Sequence, residues 1–167
     1  MRTRTLVAVL VLASGALSAC DALGSDPGSF ELTVTGDATA SFSGEPVTIV
    51  NPLPTAGAPG RQFQFRLATL GNRNVVSVTA GSEGDLDLAE GTYAVGRFGL
   101  DLAPGAAVAT ADLEGGQTFL SRSGTLTLTE VTDDRVRGSF EFEGVGQSQA
   151  VTVRGSFDAD LDNDVIT

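Results

Sequence analysis

From Phe30 onward the apolar residues of this chain tend to recur at every second position, and no stretch after Cys20 carries a helical period. A period of two sends alternate side chains to opposite faces of an extended strand, so the chain is committed to pleated sheet with one dry and one wet face. Phe30, Leu32 and Val34 alternate with Glu31, Thr33 and Thr35, and Ala38, Ala40 and Phe42 resume the pattern after Gly36-Asp37. This spacing predicts a hairpin with Phe30 facing Phe42, Leu32 facing Ala40 and Val34 facing Ala38.

The last third is the most regular. Thr125 to Thr129 alternates threonine and leucine, a composition that suits a sheet. Thr132-Asp133-Asp134 is turn material. Val136, Gly138, Phe140 and Phe142 then share one face against Arg137, Ser139, Glu141 and Glu143. Val151, Val153, Gly155 and Phe157 repeat the arrangement against Thr152, Arg154, Ser156 and Asp158. The pentapeptide Val-Arg-Gly-Ser-Phe occurs at 136–140 and again at 153–157. Without a third copy it is no solenoid repeat. Antiparallel pairing of the two copies lays Phe140 over Gly155 and Phe157 over Gly138, and sets Glu141 against Arg154 on the wet face.

Between these ends, strands are expected over Pro46 to Val50, around Phe63, Phe65 and Leu67, over Val75 to Thr79, over Gly91 to Val95 and over Ala106 to Leu113. Asn51 to Gly60, rich in proline and glycine, is expected to be an exposed loop. Leu86 and Leu88 are expected to tuck inward from an acidic stretch, and Glu114-Gly115-Gly116 to turn. Roughly nine or ten strands joined by tight turns imply an all-β antiparallel meander forming a β-sandwich or barrel. A flat sheet of that width would leave long wet edges, so it should fold over or close.

The first residues follow another logic. Arg2 and Arg4 precede an apolar run from Leu6 to Leu17, and small residues lead up to Cys20, the chain's one cysteine. This is the layout of a cleaved signal peptide, and the run is shorter than the roughly 20 residues a bilayer crossing needs. Leu17-Ser18-Ala19-Cys20 resembles the lipobox of bacterial lipoproteins. The resemblance implies cleavage before Cys20 and acyl chains on that residue, each buried methylene contributing about 0.8 kcal/mol of membrane attachment. Asp21 resembles the inner-membrane retention signal of some Gram-negative lipoproteins. The organisation expected is a signal peptide over 1–19, a lipidated flexible tether over 20–28 and one all-β domain over 29–167. Ser123 to Thr129, Arg137 to Phe142 and Val151 to Phe157, with Gly91-Thr92-Tyr93, also resemble the C-terminal half of a family of β-rich bacterial lipoproteins of uncharacterised function. That resemblance implies a fold and no activity.

Composition narrows the chemistry. The chain has 21 acidic and 10 basic residues, a net charge of −11, and every basic residue is arginine. Cleavage before Cys20 would remove Arg2 and Arg4 and no acid. Such a surface repels nucleic acid, and none is expected as a partner. Histidine is absent, and the lone thiol is expected to be acylated. The commonest general base, zinc–thiolate sites and disulfides therefore drop out. Serines such as Ser121 and Ser123 have neither histidine nor lysine to activate them. Asp158, Asp160, Asp162 and Asp164 alternate as calcium ligands can, but Val165 stands where an EF-hand-like loop wants glycine. Glu83, Asp85, Asp87 and Glu90 form a second acidic cluster, with no tryptophan in the chain to stack a sugar. Gly96-Arg97-Phe98-Gly99 lacks the strand-to-helix context of a phosphate loop.

The expectation is a membrane-anchored cell-envelope protein, held by acyl chains on Cys20, with a non-enzymatic binding or structural β-domain. No catalytic residue, cofactor or metal is assigned. An envelope protein or a glycan is the partner expected, met on a polar surface or through a loop such as 51–60. The alternative is a carrier of a small hydrophobic ligand in a barrel or sandwich cavity.

Overall fold

The computed structural model describes residues 28–161, except 53–60, 70, 72, 82–87, 100–101 and 104. The signal peptide, Cys20 and the tether up to residue 27 lie outside the described residues, as do Leu86, Glu83, Asp85, Asp87, Asp162 and Asp164. Ten strands and no helix occur among those described. They are β1 (Gly28–Gly36), β2 (Ala40–Gly44), β3 (Pro46–Pro52), β4 (Arg61–Ala68), β5 (Val75–Gly81), β6 (Gly91–Val95), β7 (Ala106–Leu113), β8 (Gln117–Val131), β9 (Arg135–Gly146) and β10 (Gln149–Asp160). Asn51 and Pro52, expected in a loop, extend β3, opposite Gln62 and Arg61.

All ten strands form one sheet in the order β2-β1-β10-β9-β8-β6-β7-β5-β4-β3, nearly closed into a barrel. The all-β barrel expectation holds, with one departure from a pure meander. β6 wedges between β7 and β8 and runs parallel to β7 through Ala94–Ala106 and Val95–Ala107. β7 and β8 pair directly only next to their turn, from Thr110–Leu120 to Leu113–Gln117. Beyond Leu120 the ladder forks to admit β6, which pairs with β8 from Gly124 to Leu128. That turn needs its two glycines, since Gly115 and Gly116 have φ of 97° and 79°.

β9 and β10 take the register read from the repeated pentapeptide. Gly138 pairs with Phe157, Ser139 with Ser156, Phe140 with Gly155, and Glu141 with Arg154. The rings lie so close over the glycines that a Cβ on Gly155 would stand 2.7 Å from the Phe140 ring and 2.9 Å from the Glu31 carbonyl oxygen. A Cβ on Gly138 would stand 2.6 Å from the Thr127 carbonyl oxygen. The missing side chains make room for rings that line the interior, so the strands stay close while the core stays full.

The N-terminal hairpin differs from expectation. Val34 pairs with Ala40, Leu32 with Phe42 and Phe30 with Gly44. The register has moved by two residues, which leaves the inward set inward. The cause is a loop of five residues, Thr35 to Thr39, whose middle residue reaches β10. The Asp37 amide donates to the Ala150 carbonyl (3.0 Å), and the Ala150 amide donates to Asp37 Oδ2 (2.8 Å). Phe30 and Phe42 still meet edge to face, with centroids 6.1 Å apart.

The core fills the barrel. Phe30, Leu32, Phe65, Leu67, Phe119, Leu126, Phe142 and Val153 are buried, each from the inward row of its strand. Phe65 of β4 and Phe157 of β10 stack at 4.6 Å across the interior, between strands distant in sheet order. β2 and β3, the two sheet edges, are separated in sequence by Glu45 alone. One edge is only five residues long and the other begins and ends in proline, which limits pairing with another chain.

Gly155→Ala should cost about 1–3 kcal/mol through overpacking against Phe140 and the Glu31 carbonyl. Gly96→Ala, where the nearest atom would be 3.9 Å away, should change stability by less than about 0.5 kcal/mol. Urea unfolding midpoints of the two variants check the contrast; equal losses would contradict it.

Candidate functional site on the outer sheet face

The strict alternation that fills the barrel also arrays polar side chains outside it. Ser43, Glu31, Ser156, Ser139, Thr127 and Thr92 stand in one row across β2, β1, β10, β9, β8 and β6. Ser41, Thr33, Arg154, Glu141 and Thr125 form the row beside it. Neighbours within a row are about 5 Å apart, and the rows are about 7 Å apart. These rows line a shallow, open groove of about 530 Å³ bordered by Glu31, Thr33, Thr125, Ser139, Arg154 and Ser156.

A two-armed ion pair marks its centre. Arg154 Nε lies 2.9 Å from Glu141 Oε2, and Arg154 Nη2 donates to Oε1 at 3.0 Å. The guanidinium hydrogen bond holds the Glu141 carboxyl below its ordinary range, and the carboxylate raises Arg154 in turn. Both side chains are more than half exposed, so the pair contributes little to stability. Its effect is to fix one cation and one anion among hydroxyl groups.

A second network closes one end of the same face. Asp158 accepts from Arg135 Nε at one oxygen and from Arg137 Nε at the other (2.8 Å). Arg137 Nη1 also donates to Glu130 Oε2 at 2.7 Å. The hydrogen bond from Arg135, then that from Arg137, outweighs partial burial and lowers the Asp158 pKa. Asp158, the first of the alternating aspartates, is thus engaged by two arginines, an arrangement unsuited to a calcium ligand. No group of acids that could hold a metal occurs among the described residues.

The serines separate into two kinds. Ser121 is 1% exposed. Its hydroxyl accepts from the Ala109 amide at 3.0 Å and donates to the Gly96 carbonyl at 2.7 Å, while its own carbonyl accepts from the Phe98 amide at 2.9 Å. It closes the fork where β6 enters between β7 and β8, a structural task that leaves its oxygen engaged. Ser123 is exposed and donates to Glu143 Oε2 at 3.3 Å. Between them the ladder slips, with Arg122 as the extra residue of a bulge. Leu88 is buried as expected, and Tyr93 Oη pins its neighbour by donating to the Ala89 carbonyl (2.8 Å) and accepting from the Ala89 amide (3.2 Å). Glu90 is exposed.

Sequence reasoning placed the Glu141–Arg154 pair correctly. It missed the groove, because the groove depends on which strands become neighbours, and the pairing of β1 with β10 is not local. It also missed the first third of β8, where the bulge at Arg122 interrupts the alternation. No protein family, curated protein or solved structure matches the chain.

Ser121→Ala should destabilise the protein by about 1–3 kcal/mol, because the Ala109 amide loses its acceptor inside the barrel wall. Hydrogen exchange should quicken at Ala109 and Phe98, whereas Ser123→Ala should leave both unchanged. For Asp158 the folded pKa lies below the unfolded value of about 3.9. Its contribution is therefore complete above that value and is lost as pH falls through the lower folded pKa. Thermal melts from pH 6 to pH 2 should show a smaller loss of Tm on acidification for Asp158→Asn than for the native chain.

Proposed function

We propose that this chain is a lipid-anchored protein of the cell envelope whose barrel is a non-enzymatic binding module for a hydroxyl-rich partner, a glycan strand foremost. The observation that carries the reading is the outer groove, where serine and threonine hydroxyls stand in two rows around the Arg154–Glu141 pair. Regularly spaced hydroxyls can exchange hydrogen bonds with a polyol, and the ion pair adds a charged donor and a charged acceptor. With no tryptophan in the chain to act as a stacking platform, recognition should rest on hydrogen bonds and be weak per site.

The character of the acids supports binding over catalysis. Glu141 and Asp158 are held ionised by arginine, the opposite of the raised carboxyl that a general acid requires. The Phe65–Phe157 contact fills the interior and favours the outer face over a hydrophobic cargo site. For the anchor, the support is Leu17-Ser18-Ala19-Cys20 together with the position of Gly28, which begins β1 eight residues after Cys20. Acyl chains on Cys20 would then hold the domain within about 30 Å of the membrane surface.

Two measurements test the reading. The native chain should sediment with membranes and be released by detergent, and Cys20→Ser should shift it to the soluble fraction. In NMR titrations, soluble cell-wall glycan fragments should move the Thr33, Ser139 and Ser156 amide signals, and Arg154→Ala should weaken that response several-fold. A groove left unmoved by all such fragments would refute glycan binding.

A further inference from the structure

The strand ends remote from Gly28 carry a surface of different chemistry. Four large hydrophobic side chains are conspicuously exposed among the described residues, and three of them meet here: Phe98 at 42%, Leu120 at 38% and Val145 at 41%. Leu120 and Val145 are cross-strand neighbours on β8 and β9. Phe98 is held beside them by its amide bond to the Ser121 carbonyl. Together with Arg97 and Arg122 they line a groove of about 460 Å³. Arg122 also borders a second hollow running along β9 and β10 past Gly144 and Thr152, where Glu143 takes its hydrogen bond from Ser123.

The two arginines set this surface apart. Arg73, Arg135, Arg137 and Arg154 all sit against carboxylates. Arg97 and Arg122 have no ion pair with any described residue, which is also true of Arg66 opposite the single exposed Val47, but only here do two such arginines stand beside three exposed apolar side chains. In a chain of net charge −11, two guanidinium groups without an ion pair among the described residues stand beside the main exposed apolar cluster. A patch of this kind is a recurrent mark of a binding surface.

We propose that this groove docks a polypeptide segment of another protein that presents a carboxylate beside a bulky apolar side chain. The arginines supply forked donors for the carboxylate, and Phe98, Leu120 and Val145 supply the apolar seat. The acidic remainder of the surface repels anionic chains that lack the apolar element. The choice of a polypeptide over an anionic membrane rests on the anchored reading above. Gly28 pairs with Ala159 and Gly36 with Val151, so the groove lies at the end of β1 and β10 away from the tether, about 27 Å along the strands. An anchor before Gly28 holds the opposite end toward the bilayer.

The test uses the full chain in mild detergent and a fluorescein-labelled octapeptide of alternating leucine and aspartate. A second octapeptide, with asparagine for aspartate, is the control. Fluorescence anisotropy should show the aspartate peptide binding at least about tenfold more tightly, with the difference shrinking as salt screens the arginines. Arg122→Gln should remove most of that preference. Leu120→Thr, which keeps a strand-forming residue, should weaken both peptides about fivefold. Equal binding of the two peptides, or indifference to both substitutions, would overturn the proposal. So would an uptake onto phosphatidylglycerol vesicles that Arg122→Gln abolishes, in place of peptide binding, or a dimer in sedimentation that Arg122→Gln dissolves. None of these readouts depends on Cys20, so loss of the anchored reading in the Cys20→Ser fractionation is distinguishable from failure here.

Discussion

The antiparallel pairing of β9 with β10 is the contact around which the barrel is organised. Each strand carries Arg-Gly-Ser-Phe followed by an acid, and the two copies pair about Ser139 and Ser156. Inside, each phenylalanine covers the partner's glycine. Outside, each arginine meets the acid that follows the partner's phenylalanine: Arg154 with Glu141, and Arg137 with Asp158. One register satisfies both faces. A slip of two residues one way sets Phe140 against Phe157, and a slip the other way sets Gly138 against Gly155. The first crowds the core and the second leaves a hole in it, while a slip of one turns the ring of one strand into water.

That pair in turn places its neighbours. β10 offers its free edge to β1, which brings the first described strand beside the last, and Asp37 fastens the far end of the junction to Ala150. β9 offers its other edge to β8, whose bulge at Arg122 restores the alternation that Ser121 needs to reach the fork. The polar groove is the outer surface of this same set of strands. Its hydroxyl rows exist because the inward rows are fully spent on the core, so the site and the fold are two faces of one pattern.

Much of this was legible residue by residue. β6 and β7 have the limits expected from Gly91 to Val95 and Ala106 to Leu113, because glycines and turn residues bound a clean alternation. The glycine-under-ring register of β9 and β10 was legible because both strands carry the same word, which can match itself in only one useful way. The hairpin of β1 and β2 was misjudged by two residues because period two sets the face and not the register. There the register was decided by Asp37 reaching a residue more than a hundred positions away. The parallel β6–β7 contact had no local signal, since it arises from β6 entering a fork that three other segments build. The hydroxyl groove was hidden because it needs β1 beside β10, an adjacency that is a property of the closed sheet.

The distribution of charge separates the two grooves by chemistry. In the hydroxyl groove the central arginine is neutralised across the strand pair, so the surface is polar without a net cation. At the opposite end from Arg135 and Asp158, Arg97 stands in the loop after β6 and Arg122 on a bulge of β8, and neither has an ion pair with a described residue. Regular pairing neutralises charge because opposing side chains are about 5 Å apart, within reach of each other. At the bulge the extra residue, Arg122, has no directly opposite neighbour on β9. In this barrel the bulge in β8 therefore sets Arg122 outside the cross-strand pairing that engages Arg137 and Arg154.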